Sequence, residues 1–171
     1  MKKYFFVIVS LIGLLSCSSK PFLVKKLDQT NLSSPNAFCY LDHKGKTIVP
    51  LGRYSQAYTD TVVTIGFVGN NQSEILAIDI YGKELFQVFK NDGLPDYESN
   101  GLFRIIKDQK IGYADMMGKI VVKPSYKCAF PFFDGRAKVS INCETVTKGD
   151  YSYWNSDNWV FINKKGQVLP N

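Results

Sequence analysis

The chain has one histidine, His43, so a Ser-His-Asp or Cys-His arrangement has no free partner to draw on. His43 also stands at a turn position whose counterparts are Ile80, Met116 and Lys164, a place that accepts any side chain. No CxxC occurs among the 4 cysteines, and with a single histidine no metal-ligand set is expected. No GxxxxGK loop or dinucleotide fingerprint appears, and no cofactor is expected. No dense run of basic residues accompanies the net charge of +6, and acidic residues are interspersed among the basic ones. A nucleic-acid partner, which needs a clustered basic face, is therefore not expected. Past the first segment no stretch keeps a helical period. What is abundant is aromatic: 12 Phe and 10 Tyr in a chain that is 45% hydrophobic, enough for one folded core in 171 residues.

The N-terminal segment stands apart. Lys2 and Lys3 precede an apolar run, Tyr4 to Leu15. At about 1.5 Å per residue that run is too short to cross a hydrocarbon core about 30 Å thick. It ends in Leu14-Leu15-Ser16-Cys17, which resembles the lipobox of bacterial lipoproteins. The resemblance implies that Cys17 is acylated and becomes the mature N-terminus, with 1–16 removed as a signal peptide and 17–21 forming a short tether. The alternative is an ordinary secretory signal cleaved after Ser16 or Ser18. Ser18 after the cysteine resembles lipoproteins sorted to the outer membrane. The expected location is the cell envelope, on a face open to the periplasm or the cell surface, with the acyl chains as the membrane contact.

Residues 22–171 read as a single domain built on a repeated phrase. Asp42-His43-Lys44-Gly45-Lys46, Asp79-Ile80-Tyr81-Gly82-Lys83, Asp115-Met116-Met117-Gly118-Lys119 and Asn163-Lys164-Lys165-Gly166-Gln167 place their glycines 37, 36 and 48 residues apart. The chemistry is that of a hairpin turn. Asp or Asn accepts bonds from N–H groups further on, and Gly takes the left-handed conformation of a G1 bulge. Short β-branched and aromatic runs flank each phrase. Gly101 to Ile105 and Gly135 to Val139 supply a further strand per unit, with Thr61 to Ile65 in that part for the first unit. The fold class is all-β, with about four degenerate hairpin repeats in a twisted antiparallel, solenoid-like module. Whether it stays open or closes like a barrel or propeller is left open. Either Phe22 to Leu27 closes the structure, or Pro170 and the lysines blunt the end.

Gly101-Leu102-Phe103-Arg104-Ile105, Ile111-Gly112-Tyr113-Ala114-Asp115, Gly118-Lys119-Ile120-Val121-Val122, Lys123-Pro124-Ser125-Tyr126 and Phe133-Asp134-Gly135 resemble the WG (KWG) repeat. The naming pair is not intact: Ile111 precedes Gly112, and Val160 follows Trp159. The resemblance implies an all-β repeat module and brings no catalytic residues.

The interval between the third and fourth phrases is longer than the others. Its extra residues, near Asn142 to Asn158, contain Tyr151, Tyr153 and Trp154, next to Trp159. Aromatics mixed with Ser, Asn and Asp suit a binding surface for protein or glycan, or a cap over an open end of the stack. Cys128 and Cys143 are the first disulfide candidates, although three buried thiols are an equal alternative. The expected role is non-catalytic binding or scaffolding. The rival is a polysaccharide hydrolase using two loop carboxylates from among Asp96, Glu98, Asp134 and Glu144.

Overall fold

The structure is a computed structural model and describes residues 20–28 and 37–170. The signal, Cys17 and the Ser/Pro-rich stretch 31–36 lie outside the described residues. Within them the chain forms strands and no helix.

Each repeated phrase closes a hairpin in the same way. Asp42 Oδ1 accepts from the backbone N–H of Lys44 and Lys46, both at 2.9 Å. Asp79 does so from Tyr81 and Lys83, Asp115 from Met117 and Lys119, and Asn163 from Lys165 and Gln167. The Asp42 carboxyl is held below its ordinary range, foremost by the bond from Lys46 N–H. Gly45, Gly82, Gly118 and Gly166 have φ of +80°, +73°, +81° and +76°. At those angles a Cβ meets the neighbouring carbonyl, which explains the fixed glycine.

The hairpins organise four units. The first holds Leu23–Leu27, Phe38–Asp42 and Thr47–Val49. The second holds Ile65–Gly69, Ile75–Asp79 and Glu84–Val88, and the third Leu102–Lys107, Lys110–Asp115 and Ile120–Tyr126. The second and third fuse into one seven-stranded antiparallel sheet through Val88↔Ile105 and Gln87↔Ile106. The fourth pairs Arg136–Ser140 with both Cys128–Ala129 and Val160–Asn163.

The expectation for Thr61 to Ile65 needs correction. Thr61–Val62 joins the sheet of the first unit against Val24 and Leu23, and the first strand of the second unit begins at Ile65. Val62 is fully buried in the core of the first unit, and burial there outweighs continuity along the run. Leu23–Leu27 pairs with Phe38–Asp42 rather than with the last unit, and among the described residues no sheet closes on itself.

Three hydrophobic clusters run along the chain, each straddling neighbouring units. Tyr40 and Val49 of the first unit meet Val68 and Ile78 of the second. Ile75 and Ala77 of the second meet Phe103, Ile105 and Ala114 of the third. Tyr113 and Val122 of the third meet Ala137, Val139 and Ile162 of the fourth. A strand such as Ile75–Asp79 is thus covered on both faces, Ala77 by the next unit and Ile78 by the preceding one. This is why its sequence reads as a continuous apolar run rather than an alternation.

Candidate functional site

The extra length in the fourth unit folds as a separate two-stranded ribbon, Glu144–Lys148 against Tyr151–Asn155, which pairs with no other sheet among the described residues. Its root is fastened. Cys128 and Cys143 form a disulfide with Cα atoms 6.2 Å apart, tying the start of the ribbon to an edge strand of the fourth unit. Ser156 Oγ donates to Asn142 O at 2.6 Å and lies 2.9 Å from Ser140 Oγ. An isolated two-stranded ribbon is marginal in water, so these fastenings and the packing of one face hold it.

Register decides which side chains share a face. Val146 is opposite Tyr153 and Lys148 opposite Tyr151, whereas Thr145 is opposite Trp154 and Thr147 opposite Ser152. Tyr151 and Tyr153 are therefore on one face and are 80% and 52% exposed. Trp154 is on the other, half-buried, and meets Phe89 and Phe130 edge-on at centroid distances of 6.0 and 5.5 Å. Trp159 also contacts Phe130 at 5.5 Å, and Lys138 Nζ lies 4.8 Å from its ring centroid. The four aromatics that the sequence groups together are thus split between outward display and a half-buried cluster.

Between ribbon and body lies a groove of about 350 Å³. Phe89, Phe130 and Trp154 supply its aromatic lining, and Asn91, Thr145, Ser152 and Tyr153 its neutral polar lining. Arg104 also borders it, but with its charge already met. Its guanidinium lies 4.1 Å from the Phe89 ring centroid and donates to both oxygens of Asp96, at 2.9 and 2.6 Å, and to Ala129 O. Both side chains are buried, at 6% and 0% exposure. The pair holds Phe89 in place beneath the groove. Phe89, Phe130 and Arg104 are distant from the ribbon in sequence, and no local pattern marks them.

The loop carboxylates separate into roles. Asp96 is consumed by Arg104, and its Oδ2 also accepts from the Arg104 backbone N–H. Glu98 accepts from Gly101 N–H in a turn. Asp134 is exposed in a turn of its own, with φ of +49°. Glu144 receives Asn155 Nδ2 at 3.4 Å and lines a second, polar groove of about 330 Å³ that also includes Asp157 and Lys127. His43 is exposed in its turn, its ring 6.3 Å from that of Phe22.

One segment of the chain matches a known family. Residues 111–142 match the WG containing repeat. No curated protein matches the chain. The matched WG repeat runs from the hairpin of the third unit into the fourth unit and ends beside Cys143, where the ribbon begins. Its glycine has a physical reason. Ile120–Tyr126 bulges opposite Gly112, because Ile111 pairs with Tyr126 and Tyr113 with Val122. A Cβ on Gly112 would stand 2.5 Å from both Pro124 N and Val122 O. The first position of the naming pair carries no such constraint: Ile111 fills it as one of several core side chains.

Proposed function

We propose that the chain is a lipid-anchored protein of the cell envelope whose β-repeat domain binds a neutral ligand without catalysis. The ligand is an envelope glycan or an uncharged stretch of an envelope protein. Acylation of Cys17, residence in the outer membrane and the absence of a nucleic-acid partner are parts of the same reading, supported by the lipobox-like Leu14-Leu15-Ser16-Cys17 and the dispersed charge. The observation that carries the binding role is the fastened ribbon over an aromatic groove whose one cation is neutralised by a buried carboxylate. Aromatic faces beside hydroxyl and amide groups suit sugar rings or peptide, and a rigid site avoids the ordering cost of a mobile one.

Trp154 lines the groove, so occupancy changes its emission. Titration with solubilised envelope glycan and envelope protein fractions is expected to give a saturable shift with one fraction, weakened at least about tenfold in Tyr153→Ala by loss of an interface aromatic. A linear response shared by all fractions and unaffected by the substitution would refute the binding role.

One observation favours a second reading, hydrolysis of envelope polysaccharide: Glu144 and Asp157 line the same polar groove. Release of reducing ends from envelope polysaccharide, abolished in Glu144→Gln, would establish it in place of the first.

A further inference from the structure

The unit junctions share one contact that is missing at the start of the row. A Cβ on Gly82 would lie 2.9 Å from Val49 in the unit before it, and one on Gly118 2.9 Å from Leu85. A Cβ on Gly166 would lie 3.3 Å from Val122. Four positions before these glycines stand Ile78, Ala114 and Ile162, each 0% exposed beneath the preceding unit. The corresponding pair in the first unit is Gly45 and Leu41. A Cβ on Gly45 would meet nothing within 4 Å among the described residues, and Leu41 is only half-buried.

Register places Val24 beside Leu41 and Lys26 beside Cys39 on this same face. Leu27, Leu41 and Leu51 border an open groove of about 910 Å³ there. Val24, Leu27 and Leu51 are 41%, 47% and 47% exposed. Lys25, Lys26 and Asp28 also border it, with Lys25 paired to Asp60; Lys44 and Lys46 are exposed in the adjoining turn, and the Asp42 carboxylate is engaged by backbone N–H groups.

We propose that this face of the first unit, which no other described residue covers, docks on an anionic phospholipid bilayer. The inference rests on the reading that Cys17 is acylated. Leu23 then lies six residues from the anchor, within about 20 Å of it even if the link is fully extended. The chain enters the sheet beside the first turn, where Phe22 meets His43. An apolar face with Lys26 at its border and Lys44 and Lys46 in the adjoining turn, held that close to a membrane, gains from both headgroup charge and interfacial burial. A second copy is a poorer occupant. The outer face of the fourth unit carries Arg136 over Phe161 and Lys138 over Trp159, so head-to-tail stacking sets like charges together.

The test uses the full chain, purified with its acyl groups and reconstituted in phosphatidylcholine vesicles with or without phosphatidylglycerol, some lipids carrying a nitroxide quencher. Both native tryptophans are in or beside the ribbon of the fourth unit and report the background; Leu51→Trp adds a reporter on the face. Extra quenching of the Leu51→Trp chain in phosphatidylglycerol vesicles is expected. Adding Lys26→Gln, Lys44→Gln and Lys46→Gln is expected to shift the docking equilibrium on the order of 100-fold, about fivefold per lysine. Should Leu51→Trp fail to fold, Thr47→Trp places the reporter on the same face. No quenching beyond background, or association of copies through this face instead, overturns the proposal. The mass of the mature N-terminus reads acylation separately. An unacylated chain that still shows the extra quenching sinks the anchor and keeps the docking; an acylated chain without it does the reverse.

Discussion

Replacing Gly118 by Ala and, separately, Gly45 by Ala isolates what holds one unit to the next. Both glycines have nearly the same backbone, φ +81° and +80°, in turns with the same hydrogen bonds. Each substitution therefore bears the same left-handed cost, about 1–2 kcal/mol. Only the surroundings differ. A Cβ on Gly118 falls 2.8 Å from Ile65 Cγ2 and 2.9 Å from Leu85 Cδ1, whereas one on Gly45 meets nothing within 4 Å among the described residues. Ile65 and Leu85 belong to the packed cluster between the second and third units, so their yielding costs a further ~1–3 kcal/mol. Thermal unfolding of the oxidised chain is expected to show Gly118→Ala below Gly45→Ala by about 2–12 °C, at 2–4 °C per kcal/mol for a domain of this size. Equal losses, or a larger loss for Gly45→Ala, would refute the claim that turn glycines seat each unit on the one before.

Three further perturbations follow from single contacts. Asp96→Ala leaves a buried guanidinium unpaired and is expected to cost ~3–5 kcal/mol in denaturant unfolding, with much of it recovered when Arg104→Met is added. Cys143→Ser opens a loop of 15 residues, expected to cost about 3 kcal/mol and to speed amide exchange across Glu144–Asn155 more than in the rest of the chain. Raising pH destabilises the fold through tyrosines. Burial, aided by Asp60, pushes the Tyr40 hydroxyl up to about 12, and burial also raises Tyr54 and Tyr113. Their contribution is whole below the unfolded value of about 10 and declines as pH rises through the folded values, so alkaline unfolding should coincide with tyrosinate absorbance. Normal titration of every tyrosine in the folded chain would contradict it.

Turn chemistry was the most legible layer of the sequence because glycine and aspartate announce it. Where other residues perform the same work the signal disappears. Asn70 Oδ1 accepts from Gln72 and Glu74 N–H in the same pattern as Asp42, but Ser73 holds the left-handed position at φ +61°, so the phrase has no glycine. Asp108 and Gln109, at φ +51° and +58°, likewise form a two-residue turn without one. The ribbon was visible only as excess length and aromatic content. Its groove was not visible, because Phe89, Arg104 and Phe130 converge from three different segments by sheet topology and not by any local spacing. The sorting of Tyr151 and Tyr153 from Trp154 depends on pairing register, which two adjoining polar-aromatic runs leave undetermined.

Capture in the living cell tests the binding role most directly. A photoreactive phenylalanine placed at Ser152, exposed on the ribbon and lining the groove, is compared with one at Tyr81, open at 74% on a plain repeat turn. Crosslinking is expected to yield a discrete protein or glycan adduct from position 152 and none of it from position 81. The same adducts from both sites, or only lipid and other copies of the chain from position 152, would contradict the account.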